Sequence, residues 1–247
     1  QHISYEKEKE HKKKRVEDAF SHIAHINIEA ETLLSDNKTT CYRNKAQYPV
    51  SFDRQLKIGF FAPRSHRVVD CENCILQPPI FADIVKIFRK FIIKNGITVY
   101  DSEKHTGLLR HIYLRLAEAT GEVMVCAVIN GEDLPHKNEL IEKLTEIPSV
   151  KSIVLNINRD RTNVILGKEC VTVWGNDCIY DVLCGVKVRL SPLSFYQVNH
   201  DMAQQLYEKA AEYACLSGKE TVLDMYCGTG TIGLSMAKKA KRIIGAE

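Results

Sequence analysis

The sequence predicts an α+β domain over residues 1–190, followed over residues 191–247 by the opening of an α/β domain with a parallel sheet. Three observations carry this. Short alternating strands fill the stretch from Ala46 to Leu190, with two amphipathic helices between them. After Ser191-Pro192 the pattern changes to strand–helix alternation. A glycine-rich loop, Gly228–Gly233, then stands between an apolar strand and a helix.

Tyr5–Ala24 reads as a helix with Val16, Phe20 and Ile23 on one face. Its KEKEHKKKR run mixes signs as a solvated, salt-bridged surface does. Ala46–Phe52 and Lys57–Phe61 read as strands joined around Asp53-Arg54-Gln55. Pro78-Pro79 starts a helix that buries Ile80, Ile84, Phe88, Phe91 and Ile92, and Gly96 stops it. Ile112, Leu114 and Leu116 alternate with Tyr113, Arg115 and Ala117, ahead of the turn Thr120-Gly121 and the apolar run Val123–Ile129. That pair reads as a hairpin with one solvated and one buried member. A helix near Lys137–Thr145, a strand Ser152–Ile157 and several short strands to Leu190 complete the first domain. Asn199–Cys215 is expected to be helical with Met202, Leu206 and Ala210 inward, and Ile232–Ala240 to form the helix after the glycine loop.

With 45% hydrophobic residues, the 247-residue chain suffices for one large domain or two small ones. No apolar run approaches the roughly 20 residues of a membrane span, and no signal peptide opens the chain. Nine cysteines without a framework pattern point to a reduced, cytoplasmic protein. The first residue is Gln1 rather than Met, so the chain is expected to be a piece of something longer. The net charge of +3 names no partner, but its distribution is uneven. Lys38, Arg43, Lys45, Arg54, Lys57, Arg64 and Arg67 face a single acid, Asp53, so the rest of the chain is net negative. Tyr42, Tyr48, Phe52, Phe60 and Phe61 are interleaved with these charges, the footprint of a surface for structured RNA. The competing reading is a sheet with core aromatics and solvated charges.

Gly228-Thr-Gly230-Thr-Ile-Gly233 fits GxGxxG in the right context, after the strand Thr221–Met225 and before a helix. Glycines let the backbone turn sharply and approach a ligand, and a helix N-terminus offers free N–H groups. Glu247 lies where a carboxylate accepts both hydroxyls of a ribose. This geometry serves NAD and S-adenosylmethionine equally. Asp224 at the end of the strand, and Tyr226 and Cys227 ahead of the glycines, favour the cationic methionine group over a diphosphate. Cys227 itself reads as a small packing residue rather than a nucleophile. Cys71-x-x-Cys74 is a half-site: a zinc pair, a redox pair or two packed thiols.

LDMYCGTGTIGL and SPLSFYQVN, with CYRNKAQYPV and GFFAPRSHRVVDCENC upstream, resemble the RNA (uracil-5-)-methyltransferases that act on ribosomal and transfer RNA. The upstream stretches favour the ribosomal branch, so the resemblance implies 23S rRNA as partner and no obligatory protein partner. It also implies a Rossmann-like S-adenosylmethionine-dependent methyltransferase domain for residues 191–247. Gln197 is then expected to face cofactor and base, Tyr226 to flank the adenosine, Thr231 to cap the loop and Glu247 to hold the ribose. The alternatives are a core position for Tyr226 and a plain helix N-cap for Thr231. Members with a [4Fe–4S] cluster take three ligands upstream of this stretch and a fourth at the position of Cys74, so a cluster is expected to be incomplete here. The family's chemistry needs a thiolate that adds to uracil C6 and a base that removes the C5 proton. Both lie beyond Glu247 in the family, so no catalytic residue and no methyl transfer are expected of residues 1–247 alone. The two terminal strands are expected to expose apolar surface and to favour self-association.

Overall fold

The computed structural model describes residues 3–31 and 33–247. The chain divides into two compact units that meet after Thr39. In the first, α1 (Tyr5–Ala19) is capped by Ser4, runs on into one π turn at Phe20–Ala24, and buries none of its residues. Three lysine–glutamate pairs one turn apart line it, as the mixed-sign run predicts. No helix among the described residues is long and apolar enough to cross a membrane.

The second unit is built on a seven-stranded sheet. Its strands are β1 (Lys45–Asp53), β2 (Gln55–Phe61), β3 (Val68–Asp70), β4 (Leu109–Leu116), β5 (Val123–Ile129), β6 (Val150–Ile157) and β7 (Glu169–Gly175), in the order β3-β2-β1-β4-β5-β6-β7. Every pairing is antiparallel except β5 with β6, which α3 (Lys137–Thr145) connects. Helix α2 (Pro79–Asn95) starts at the tandem prolines, ends on Gly96 in the left-handed region, and buries Phe81, Ile84, Val85, Phe88, Phe91 and Ile92. These side chains pack against Ile112, Leu114, Val125 and Ile153 on one face of the sheet.

The other face is covered as well, and this corrects the hairpin expectation. Tyr113, Ala117, Met124, Cys126 and Val154 pack against the hairpin β8 (Ile179–Leu183) and β9 (Val186–Leu190), and against Ala203 and Tyr207 of α4 (His200–Tyr213). Strand β4 is therefore buried on both sides, and Arg115, expected in solvent, is 2% exposed. Alternation of apolar and polar residues misleads here because the polar members find partners inside the fold.

Helix α4 shows a smaller correction. Its inward face is His200, Ala203, Tyr207 and Ala211, one position off the expected stripe, and Leu206 is exposed. Two polar anchors set this rotation: the Asn199 side chain accepts from Met202 N at the N-cap, and His200 Nε2 meets the Val182 carbonyl at 2.8 Å. The chain closes with β10 (Thr221–Met225), α5 (Thr231–Ser235) and β11 (Arg242–Ala246), with β10 and β11 paired in parallel. Helix α5 is shorter than the Ile232–Ala240 expected and gives way to turns after Ser235.

Candidate functional site

The glycine loop is shaped by its own backbone. Gly228 and Gly230 sit at φ of 53° and 75°, and Tyr226 between strand and loop is also left-handed, at 60°. Such a run of positive φ is open to glycine and strained for tyrosine. The loop is held by short clasps. Cys227 N–H donates to the Ala246 carbonyl at 3.0 Å, and Gly230 N–H to the Cys227 carbonyl at 2.7 Å. Glu247 Oε2 accepts from Gly228 N–H at 2.7 Å, so the carboxylate after β11 lies directly against the loop. Asp224 Oδ2 accepts from Gly233 N–H at 2.8 Å, tying strand β10 to α5. A Cβ on Gly233 would lie 2.8 Å from that oxygen and 2.9 Å from Ile243 Cγ2, so glycine is what lets α5 settle on both strands.

Each expected site residue has a definite place. Tyr226 is 88% exposed in this chain. Thr231 is the first residue of α5 and is buried, while Gly230 occupies the N-cap, which removes the N-cap reading. Glu247 is exposed at the loop. Gln197 is half-buried in the segment Ser191–Asn199, and its carbonyl accepts from Asn44 Nδ2 at 3.0 Å. Cys74 is partly exposed in the segment beyond β3, beside Cys71, whose thiol burial and Cys74 push up. Among the described residues no group of three or more His, Cys, Asp or Glu side chains converges as metal ligands.

Sequence reasoning missed the residues that hold the Gln197 segment. Buried Arg115 donates from both terminal nitrogens, to the Ser191 carbonyl at 3.1 Å and the Ser194 carbonyl at 2.7 Å. Asp181, fully buried, accepts from the backbone N–H of Glu118 and Ala119 and from the Tyr196 hydroxyl at 3.0 Å. Burial and that carboxylate push the Tyr196 hydroxyl pKa up. Asn44 N–H donates to the Val198 carbonyl at 2.8 Å. The only available signal was the charge of Arg115 within an apolar strand, since its partners lie about 80 residues away in sequence.

The basic stretch divides in three. Lys38 belongs to the first unit. Arg43 and Lys45 flank Asn44 beside the Gln197 segment, whereas Arg54, Lys57, Arg64 and Arg67 lie around the β1–β2 turn and the loop before β3. Burial, Arg115 and Arg43 together lower the Lys45 ammonium pKa. The aromatics divide likewise: Tyr48 is core, with its ring 5.1 Å from that of Phe60, while Phe52 and Phe61 are exposed.

No family model matches the chain. It is 44% identical over 249 residues to a protein of Clostridium tetani and 43% identical over 251 residues to one of Halalkalibacterium halodurans, each named an uncharacterized RNA methyltransferase. All of this chain is covered in both, with 54% and 55% of the relatives' own lengths. The chain thus spans about half the length of the curated relatives it matches. Among solved structures it is similar to the Pyrococcus abyssi tRNA (uracil-54, C5)-methyltransferase in complex with S-adenosyl-L-homocysteine. The TM-score is 0.80 at 27% identity, over 99% of this chain and 57% of the other.

Proposed function

We propose that this chain, which belongs with the RNA methyltransferases it aligns to, forms the S-adenosylmethionine and RNA-contacting part of an enzyme that methylates uridine at C5. The observation that carries this is the loop Tyr226–Gly230, clasped to Glu247 and backed by α5. S-adenosylmethionine, when bound, supplies an electrophilic methyl sulfonium. The residues present fit such a cofactor, because Gly228 has open space where a Cβ would stand and Tyr226 presents its ring to solvent. Glu247 has one oxygen engaged by the loop, and its other oxygen would accept from a ribose hydroxyl. Tyr226 would flank the adenosine and Gln197 would face the reacting base, while buried Thr231 stands in the first turn of α5 and Arg115, Asn44 and Asp181 hold the segment that carries Gln197.

RNA as the substrate is supported by the names of the relatives and by the charge beside that segment. Arg43 and Arg115 add to burial in lowering the Lys45 ammonium pKa, so positive charge gathers beside that segment, as a phosphate-contacting surface requires. Within RNA, the motifs Cys41–Val50 and Gly59–Cys74 favour 23S rRNA, with transfer RNA as the alternative. Nine free thiols suit the reducing cytoplasm that such a substrate requires. A [4Fe–4S] cluster needs four ligands, of which Cys74 would supply one.

Calorimetry tests the cofactor assignment. The chain is expected to bind S-adenosylmethionine and not NAD, and Glu247→Ala to weaken binding by about 1.5–3 kcal/mol through lost charge-assisted hydrogen bonds. Unchanged affinity in the variant removes Glu247 from the site. Mass spectrometry of RNA from cells lacking the gene tests the substrate: loss of 5-methyluridine from transfer RNA alone overturns the ribosomal assignment.

A further inference from the structure

Lys45 opens β1 on the sheet face where the Gln197 segment lies. It stands directly opposite Arg115 in the β1–β4 register, and directly opposed residues project from one face with Cβ atoms about 5 Å apart. Arg115 reaches the Ser191 and Ser194 carbonyls from that face, so the Lys45 side chain leaves its strand on the side of the same segment. The backbone next to it is tied down as well. Asn44, one residue before, donates from Nδ2 to the Gln197 carbonyl at 3.0 Å and from its N–H to the Val198 carbonyl at 2.8 Å. The Asn44 carbonyl accepts from Leu116 N–H at 2.8 Å. The strand beside Lys45 is thereby fixed both to β4 and to the segment that carries Gln197.

Like charges directly opposed across a strand pair are destabilising. Lys45 is nevertheless half-buried, and among the described residues it has no hydrogen bond or ion pair. Burial, Arg115 and Arg43 all disfavour its charge. Arg115 is not open to an outside anion, because it is buried and both terminal nitrogens serve backbone carbonyls. Lys45 is the more accessible member of the pair. Charged groups withdrawn from water are ordinarily paired, so the missing partner of this ammonium is an anion brought from outside the described residues.

We propose that Lys45 binds the phosphate adjoining the uridine that Gln197 faces, and so fixes where the RNA strand lies at the site. The inference rests on the RNA reading above and adds one named contact to it. Phosphate contacts position a strand without reading its sequence, so this contact sets placement and leaves the choice of base to other groups.

The test measures binding of the full chain to a fluorescently labelled RNA hairpin with one uridine in its loop, over a range of salt. Lys45→Gln is expected to flatten the slope of log affinity against log salt concentration by about 0.7, the counterion release of one single-stranded phosphate contact. Lys45→Arg keeps the charge and is expected to keep the parent slope. Lys86→Gln removes one exposed charge from α2, which covers the opposite face of the sheet, and is expected to leave the slope unchanged. A methylphosphonate on one side or the other of the uridine removes the anion from the RNA instead. One of these two substitutions is expected to flatten the parent slope by the same amount and to leave the slope of Lys45→Gln where it stands.

A parent chain that binds no hairpin overturns both the RNA reading and this contact. A parent that binds with a slope shared by Lys45→Gln overturns the contact alone. Flattening by Lys45→Gln with neither methylphosphonate having an effect moves the contact to a remote phosphate and overturns its place beside the uridine. Calorimetry with S-adenosylmethionine separates the other source of an anion. If Lys45→Gln weakens that binding and leaves the RNA slope unchanged, the anion is the cofactor's carboxylate and the phosphate contact is overturned.

Discussion

The seven-stranded sheet and the terminal β10–α5–β11 unit use similar apolar strand sequences and stabilise them differently. In β5 all seven residues are buried, between α2 and α3 on one side and β8, β9 and α4 on the other. In β10 and β11 none is, and Leu223 and Met225 stand 56% and 61% exposed. The terminal unit nevertheless has its loop in place, because its geometry comes from local clasps and positive-φ positions rather than from burial. A core is enforced by area removed from water. In this chain the loop is held by a few backbone hydrogen bonds and by glycines that admit them.

The largest effect that separates the two regions is a cavity in the sheet's core. Phe88→Ala, at a residue packed between α2 and the sheet, is expected to cost about 3–5 kcal/mol in urea unfolding. Leu223→Ala in β10 is expected to stay within about 0.5 kcal/mol. Comparable losses at both positions break the comparison and mean that β10 is buried in solution, for example by self-association, which sedimentation on the same samples detects.

His111 sharpens the contrast from the electrostatic side. Its folded-state pKa of about 4 lies below the ordinary value of 6.5, so the unfolded chain takes up a proton first as pH falls. Stability attributable to this group is intact above about 6.5, declines through the window from 6.5 to 4, and is lost by about 3 kcal/mol below it. Denaturation of the parent and of His111→Gln across that window is expected to diverge by that order, with the variant flatter. Parallel profiles place the ring in water.

The same division governs what the sequence made legible. Turn and cap chemistry was readable locally, so Pro79 and Gly96 bounded α2, and the glycine loop was found between its two strands. Tertiary cover was not. Arg115 read as a solvated residue because β8, β9 and the segment from Ser191 lie far along the chain, and nothing local says that they return to this face. The rotation of α4 was missed for a related reason. Its apolar residues support two adjacent stripes, and the choice is made by His200 reaching the Val182 carbonyl. The site was legible where it is backbone and opaque where it is support: Gly228 and Glu247 were named, but Arg115, Asp181 and Asn44 were not.

The smallest expected effects come from a matched pair of turns, one in each region. Arg54 closes the β1–β2 hairpin at φ 59°, and Tyr226 precedes the glycine loop at φ 60°. Both side chains are exposed, so replacing either with glycine relieves left-handed strain while adding freedom to the unfolded chain. Arg54→Gly is therefore expected to change stability by no more than about 1 kcal/mol and to leave S-adenosylmethionine affinity alone. Tyr226→Gly carries the same backbone consequence but removes a ring that has no core role to explain it. If that ring flanks the adenosine, the variant binds S-adenosylmethionine more weakly by about 0.5–1.5 kcal/mol, the worth of one aromatic contact. Equal cofactor affinity in the two glycine variants would falsify the assignment of Tyr226 and leave only the strain at φ 60°, with no ligand contact to account for it.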